Sequence, residues 1–227
     1  NGMTGPGPVF EGEFGFFKLV SGPFELEPLA RGRGDRFKIL DTYIKYYPVE
    51  YHAQSAVGAA IDIYKGLEEG DVIEAVEVKT FRAAYEIIGS GLEKWRPKTR
   101  ETADHSLPFV VAAALVDGTV NLNTFNEKLG DARILALAEK VRVTVDDALE
   151  SLYPEAVPNR VEVTLSSGRR VSREVIYPKG HPKDPLTDIE VEEKFRSLSG
   201  WLFSGEGMDR ALDALWNIEK AAQMRGF

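Results

Sequence analysis

Cysteine is absent from all 227 residues. That excludes disulfides, a thiol nucleophile and a cysteine-ligated iron–sulfur cluster. Histidine is scarce: His52, His105 and His181 are the only three. No two of them have the i, i+4 spacing that lets one helix face hold a metal ion. The chain is therefore expected to need neither a metal nor another cofactor. Long apolar runs are missing too. The longest, LPFVVAAALV from Leu107 to Val116, falls well short of the roughly 20 residues a bilayer-spanning helix needs. No basic stretch followed by an apolar one opens the sequence, so no secretory signal is expected and the expected compartment is the cytoplasm. Basic charge is in deficit, with a formal net charge of −8. Neither nucleic acid nor an anionic membrane surface is then an expected partner, because both demand a basic face. A small anion can still be held where local cations outweigh the global charge.

What is present supports a packed core. Residues 1–34 are rich in glycine and proline, with Phe10, Phe14, Phe16 and Phe17 between the turns. Such a segment is expected to pack against something else. Apolar periodicity predicts a helix over Tyr51–Tyr64, ending at Gly66 and starting near Pro48, since proline is favoured in a first turn. Asp71–Phe81 alternates as a strand. A helix is expected from Ser106 to Val116, closed by Asp117-Gly118. Residues 124–141 read as a short helix, a break at Gly130, and a helix to Lys140. VRVTVD, RVEVTLSSG and RRVSREVIY read as strands, with SSG as a hairpin turn. Thr187 and Glu190 form a capping box before Ile189–Leu198. Met208–Met224 reads as an amphipathic helix with Leu212, Leu215, Trp216 and Glu219–Ala222 on its core face. The fold expected is α+β: a mixed four-strand sheet with packed helices, flanked by two segments of different character.

The chemistry gathers at three boundaries. KYYPVEYHAQSAVGAA, Lys45 to Ala60, places His52 early in a helix. The positive end of the helix dipole favours an uncharged imidazole there, able to accept a proton. Free N–H groups at the same end attract a carboxylate, and Lys45 adds a full positive charge. The plainer reading is a partly buried, hydrogen-bonded histidine. TRETADHSLPF gathers Arg100, Glu101, Asp104, His105 and Ser106 before an apolar helix. There, capping by Asp104 or Ser106 competes with catalysis as the explanation. YPKGHPKDPLT leaves a strand carrying Lys179, His181 and Lys183. It is either a rigid solvated loop or a set of cations over an anionic ligand. All three histidines stand where elements meet, and sites are usually built on such loops.

The same stretches carry a resemblance. KYYPVEYHAQSAVGAA, RETADHSLPFVVAAALVDG and YPKGHPKDPLTDIEVEEKFRSL, with GPVFEGEFGFF near the start, resemble the MmgE/PrpD family, in order along nearly the whole chain. The resemblance implies a homodimer of two-part subunits, with a large all-helical domain, a smaller α+β domain and an active site between them. On that pattern residues 1–34 are the exit segment of the helical domain. Residues 35–183 are then the α+β domain, and 184–227 are C-terminal helices returning to the helical domain. Family members are much longer, so a missing N-terminal helical half, from the same gene or a separate chain, is an expected partner.

The resemblance also implies a lyase acting on a tricarboxylate or dicarboxylate. The first expectation is metal-independent dehydration of 2-methylcitrate in propionate catabolism. The alternatives are cis-aconitate decarboxylation, iminodisuccinate epimerisation, or a non-catalytic half of a split enzyme. Lys45 and His52 match the family's site-facing lysine and histidine, with His52 as the catalytic group and Lys45 binding substrate. His105 and His181 lie in family motifs and are carried as further substrate-binding candidates.

Overall fold

A computed structural model of the chain describes residues 12, 15–22 and 38–220. Phe10, Phe14, most of the expected exit segment and the last four residues of the expected Met208–Met224 helix lie outside the described residues. The chain divides into two units, Asn1–Asp41 and Thr42–Phe227. The first contains a π-helical turn at Phe17–Ser21 and a 3-10 turn at Lys38–Asp41. The sheet, the core and the candidate site belong to the second.

In chain order the second unit runs through a 3-10 turn at Tyr51–Ala53, α1 (Gln54–Lys65), β1 (Ile73–Thr80), α2 (Arg82–Ile88), α3 (Arg100–Asp104), α4 (Leu107–Asp117), α5 (Leu122–Asn126) and α6 (Ala132–Ala138). It continues through β2 (Val141–Val145), α7 (Asp147–Glu150), β3 (Asn159–Leu165), β4 (Arg170–Val175), α8 (Asp188–Ser199) and α9 (Gly205–Trp216). The fold is α+β, with one mixed sheet of strand order β2-β1-β3-β4. β2 runs parallel to β1, with Val78 opposite Val143. Parallel pairing needs a long crossover, which α2 to α6 supply. β3 is antiparallel to both β1 and β4. The β3–β4 hairpin turns at Gly168, whose φ of +83° suits a residue without a Cβ.

Side-chain alternation decides which face of the sheet is covered. Asn159, Val161, Val163 and Leu165 of β3 are buried, and the residues between them are half-exposed. The covered face packs on α1 and α4. The other face is charged, with Lys79 Nζ 2.9 Å from Glu162 Oε1 across the β1–β3 pair. α4 is buried from Leu107 to Leu115. Its N-cap Ser106 accepts the Phe109 N–H at 3.1 Å, and Gly118 closes it at φ +67°. Ala56, Ala59 and Ala60 of α1 are fully buried, and their small side chains allow close packing against α4. Each large core side chain such as Phe109, Leu107 or Ile63 contributes about 1.5–3 kcal/mol by leaving water.

The start of α1 differs from expectation. Pro48 lies outside the helix, and the first turn begins at Tyr51 with Glu50 as its N-cap. The reason is Gln54. Its buried side chain accepts the Tyr47 N–H at 3.0 Å and donates to the Tyr47 and Val49 carbonyls at 2.7 and 3.2 Å. Those bonds hold residues 47–49 in a non-helical path. α2, α3 and α7, none of which the periodicity marks, are of seven residues or fewer. Such lengths show no more than two turns of a pattern.

Candidate functional site

His52 sits in the 3-10 turn that leads into α1. Its ring meets Phe81 and Tyr153 edge-on, at centroid distances of 5.2 and 6.0 Å. Phe81 and Tyr153 stack on each other at 4.5 Å. The turn is pinned from β3: Asn159 Nδ2 donates to the His52 carbonyl at 2.8 Å and to Ser55 Oγ at 2.8 Å, and Ser55 Oγ donates to the Val157 carbonyl. His52 Nδ1 lies 3.0 Å from Glu50 Oε1. That is ion-pair distance, without the alignment of a hydrogen bond.

Glu50 also accepts the His52 N–H at 2.7 Å. The carboxylate drawn to this first turn is thus the chain's own, because Glu50 is the residue best placed to reach those N–H groups. Burial pushes the Glu50 carboxyl upward. Its bonds to His52 and the charges of His52 and Lys45 outweigh that and hold it below the usual carboxylate range. Lys45 is exposed and has no ion-pair partner among the described residues.

His181 is buried, 4% exposed. Its Nδ1 accepts the Lys183 N–H at 3.0 Å, which assigns the proton to Nε2. Burial and the Lys183 charge push the imidazole below its usual value, so the neutral form is favoured. The ring packs on Tyr43 at 4.7 Å and Tyr177 at 4.8 Å. Tyr43 also stacks on Tyr51 at 5.1 Å. The other cations of this loop are committed within the chain. Lys183 Nζ reaches Glu155 Oε1 at 2.5 Å and the Tyr177 hydroxyl at 3.0 Å. Lys179 Nζ lies 3.1 Å from Glu190.

His105 ends α3, with its side chain 45% exposed and Nδ1 2.5 Å from Asp104 Oδ1. Ser106, not Asp104, caps α4.

Main-chain bonds bring the three histidine stretches together. The Ile44 N–H donates to the Gly180 carbonyl at 3.0 Å, beside His181. The Glu50 N–H donates to the Asp104 carbonyl at 2.9 Å, beside His105. The segment carrying Lys45 and His52 is therefore held by both of the others. Among the described residues, the buried side-chain atoms without a hydrogen-bond partner are Tyr51 Oη, His52 Nδ1, Thr80 Oγ1, Asn159 Oδ1 and His181 Nε2. Tyr51, His52 and Asn159 stand at the opening of α1, Thr80 ends β1 and His181 is tied to Tyr51 through Tyr43. A buried polar group left unmet costs about 1–3 kcal/mol, so such a gathering marks a place that other groups complete. Burial pushes the Tyr51 phenol up to about 12, keeping it a neutral donor.

Sequence reasoning missed Tyr43, Glu50, Tyr51, Tyr153 and Asn159. The one signal that could have found any of them is the run of tyrosines ahead of the helix. Among the described residues no group of three or more His, Asp or Glu is placed to hold a metal ion. A groove of about 590 Å³, lined by residues that include Tyr46, Pro48, Asn121 and Lys194, takes in neither Lys45 nor His52.

A sequence model described as the MmgE/PrpD C-terminal domain matches residues 47–218. The chain is 29% identical over 226 residues to the 2-methylcitrate dehydratase of Salmonella typhimurium, covering 95% of the chain and 44% of that relative. It is 26% identical over 234 residues to the 2-methylcitrate dehydratase of Escherichia coli K12, covering 94% and 48%. It is 26% identical over 223 residues to an alkylcitrate dehydratase of a fungal species, covering 92% and 43%. The chain thus spans less than half the length of these curated relatives.

Proposed function

The chain belongs to the MmgE/PrpD family, and from that premise we propose that it forms the α+β part of a carbon–oxygen lyase that dehydrates 2-methylcitrate to 2-methylaconitate. One observation carries the reading: a His52–Glu50 pair lies within reach of the charge of Lys45, which has no ion-pair partner among the described residues. The reaction removes a proton from carbon next to a carboxylate and expels a hydroxyl as water. Lys45 holds a substrate carboxylate and offsets the negative charge that builds on it as the C–H bond breaks. His52 takes the proton. Glu50, 3.0 Å from Nδ1, orients the imidazole. His105, the most exposed of the three histidines, borders the same segment and is a further carboxylate contact.

The remaining acid and carboxylate-binding groups come from the other half of the family fold. Trp201, Leu202 and Ile189 of the α8–α9 region are exposed, and we assign them to contact with that half in a homodimeric enzyme. The setting is propionate catabolism in the cytoplasm. The alkylcitrate relative supports 2-alkylcitrates as the substrate class.

The test is to assay the chain together with the N-terminal half that its relatives carry, fused or separate. The expected result is an unsaturated product from 2-methylcitrate, with His52→Ala lowering turnover about 10²- to 10⁴-fold. Release of CO₂ from cis-aconitate, or epimerisation of iminodisuccinate, without dehydration would reassign the chemistry. No turnover of any of the three would make the chain a non-catalytic half.

A further inference from the structure

A lysine that grips a carboxylate must hold its ammonium in a narrow position, because misplacement by about 1 Å costs up to 10²-fold. Lys45 stands on a stretch with neither helix nor strand. On its C-terminal side Gln54 and the Asp104 carbonyl fix the path. On its N-terminal side the contacts come from the 177–184 loop. Gly180 accepts the Ile44 N–H at 3.0 Å. Its φ is +90°, and a Cβ there would collide with the Ile44 carbonyl. Tyr43 stacks on His181 and on Tyr51. His181 is itself immobilised by the Lys183 N–H, by Tyr177 and by burial. Lys183 then ties the loop to Glu155, two residues beyond the Tyr153 ring that meets His52.

We propose that His181 is a positioning residue: through Tyr43 it fixes the segment that carries Lys45, and it does not touch the substrate. This role rests on Lys45 being the carboxylate-holding group. It differs from the substrate contact that the family resemblance implies for His181, and the geometry favours it. One ring nitrogen is consumed inside the loop, the other is buried without a hydrogen-bond partner among the described residues, and the imidazole packs between Tyr43 and Tyr177 of this chain.

The experiment compares His181→Ala, His181→Phe, Tyr43→Ala, Tyr43→Phe and Lys45→Met with the parent chain. Two quantities are read: hydrogen exchange at the Ile44 amide, and affinity for citrate as a tricarboxylate probe, followed by the Hε1 signals of the histidines. The two alanine variants are expected to speed Ile44 exchange about 10-fold or more and to weaken citrate about 10- to 100-fold. The two phenylalanine variants keep an aromatic ring in place and should stay within about twofold of the parent. Tyr43→Ala removes a half-exposed side chain, so it probes the same link if His181→Ala fails to fold.

Ile44 exchange unchanged in the folded alanine variants overturns the proposal, whatever the ligand result. Citrate affinity lost equally in His181→Phe and His181→Ala, with Ile44 still protected, also overturns it, because the imidazole would then be a direct ligand. Lys45→Met without effect on citrate affinity or turnover would overturn the reading of the site itself. That result is told apart by Ile44 exchange still responding to His181→Ala.

Discussion

Glu50 does two jobs with one carboxylate, and substitution can separate them. Glu50→Gln keeps an acceptor for the His52 N–H but removes the charge beside the imidazole. Turnover in the reconstituted assay is expected to fall about 10-fold or more. Glu50→Ala also removes the cap and should cost about 0.5–2 kcal/mol by denaturant titration. Acid sensitivity follows from the same residues. The Glu50 carboxyl lies below its usual 4.5 in the fold, so the unfolded chain takes up the proton first on acidification. His181, below its usual 6.5, behaves the same way. Their contributions are full above about pH 4.5 and 6.5 respectively, and each is lost as pH falls through the lower folded value. Thermal unfolding measured against pH should show Glu50→Gln flattening the dependence below 4.5 and His181→Phe flattening it below 6.5. A slope unchanged in both variants would contradict the assignment.

The opening of α1 is where local rules and long-range bonds disagree. Elements governed by their own residues were legible: the end of α1 at Gly66, α4 between Ser106 and Gly118, the hairpin at Gly168, and the Thr187–Glu190 capping box. Pro48 misled, because its preference for a first helical turn is local, while the Gln54 amide reaches back seven positions to Tyr47. Of the candidate site, Lys45 and His52 were legible as polar residues at a boundary. Asn159 and Tyr153 were not, because they reach His52 from more than a hundred residues away. Gln54→Ala would leave the Tyr47 N–H and carbonyl without their partner. It should cost about 1–3 kcal/mol in chemical denaturation and raise amide exchange over residues 47–49. Asn159→Ala, which frees the His52 carbonyl, belongs to the same class. Full stability in both variants would mean that other bonds set this turn.

At the scale of the whole chain, large apolar side chains are exposed along α8, α9 and the turn between them. Ile189, Leu198, Trp201, Leu202, Leu215 and Trp216 are all exposed, Trp201 by 84%, so Leu215 and Trp216 do not form the core face expected of them. A patch of that kind ordinarily marks an interaction surface. Adding the N-terminal half of the relatives is expected to blue-shift tryptophan emission, and Trp201→Ser should remove most of the shift. Emission unaffected by that addition would show the patch to be uncovered in the assembled protein.

The bonds from Gly180 to Ile44 and from Asp104 to Glu50 run between peptide groups alone. They constrain side chains only where the backbone demands it, as at Gly180, whose φ of +90° leaves no room for a Cβ against the Ile44 carbonyl. A lineage that keeps Gly180, Tyr43 and His181 could therefore retailor the other side chains around Lys45 while the frame presenting them keeps its shape.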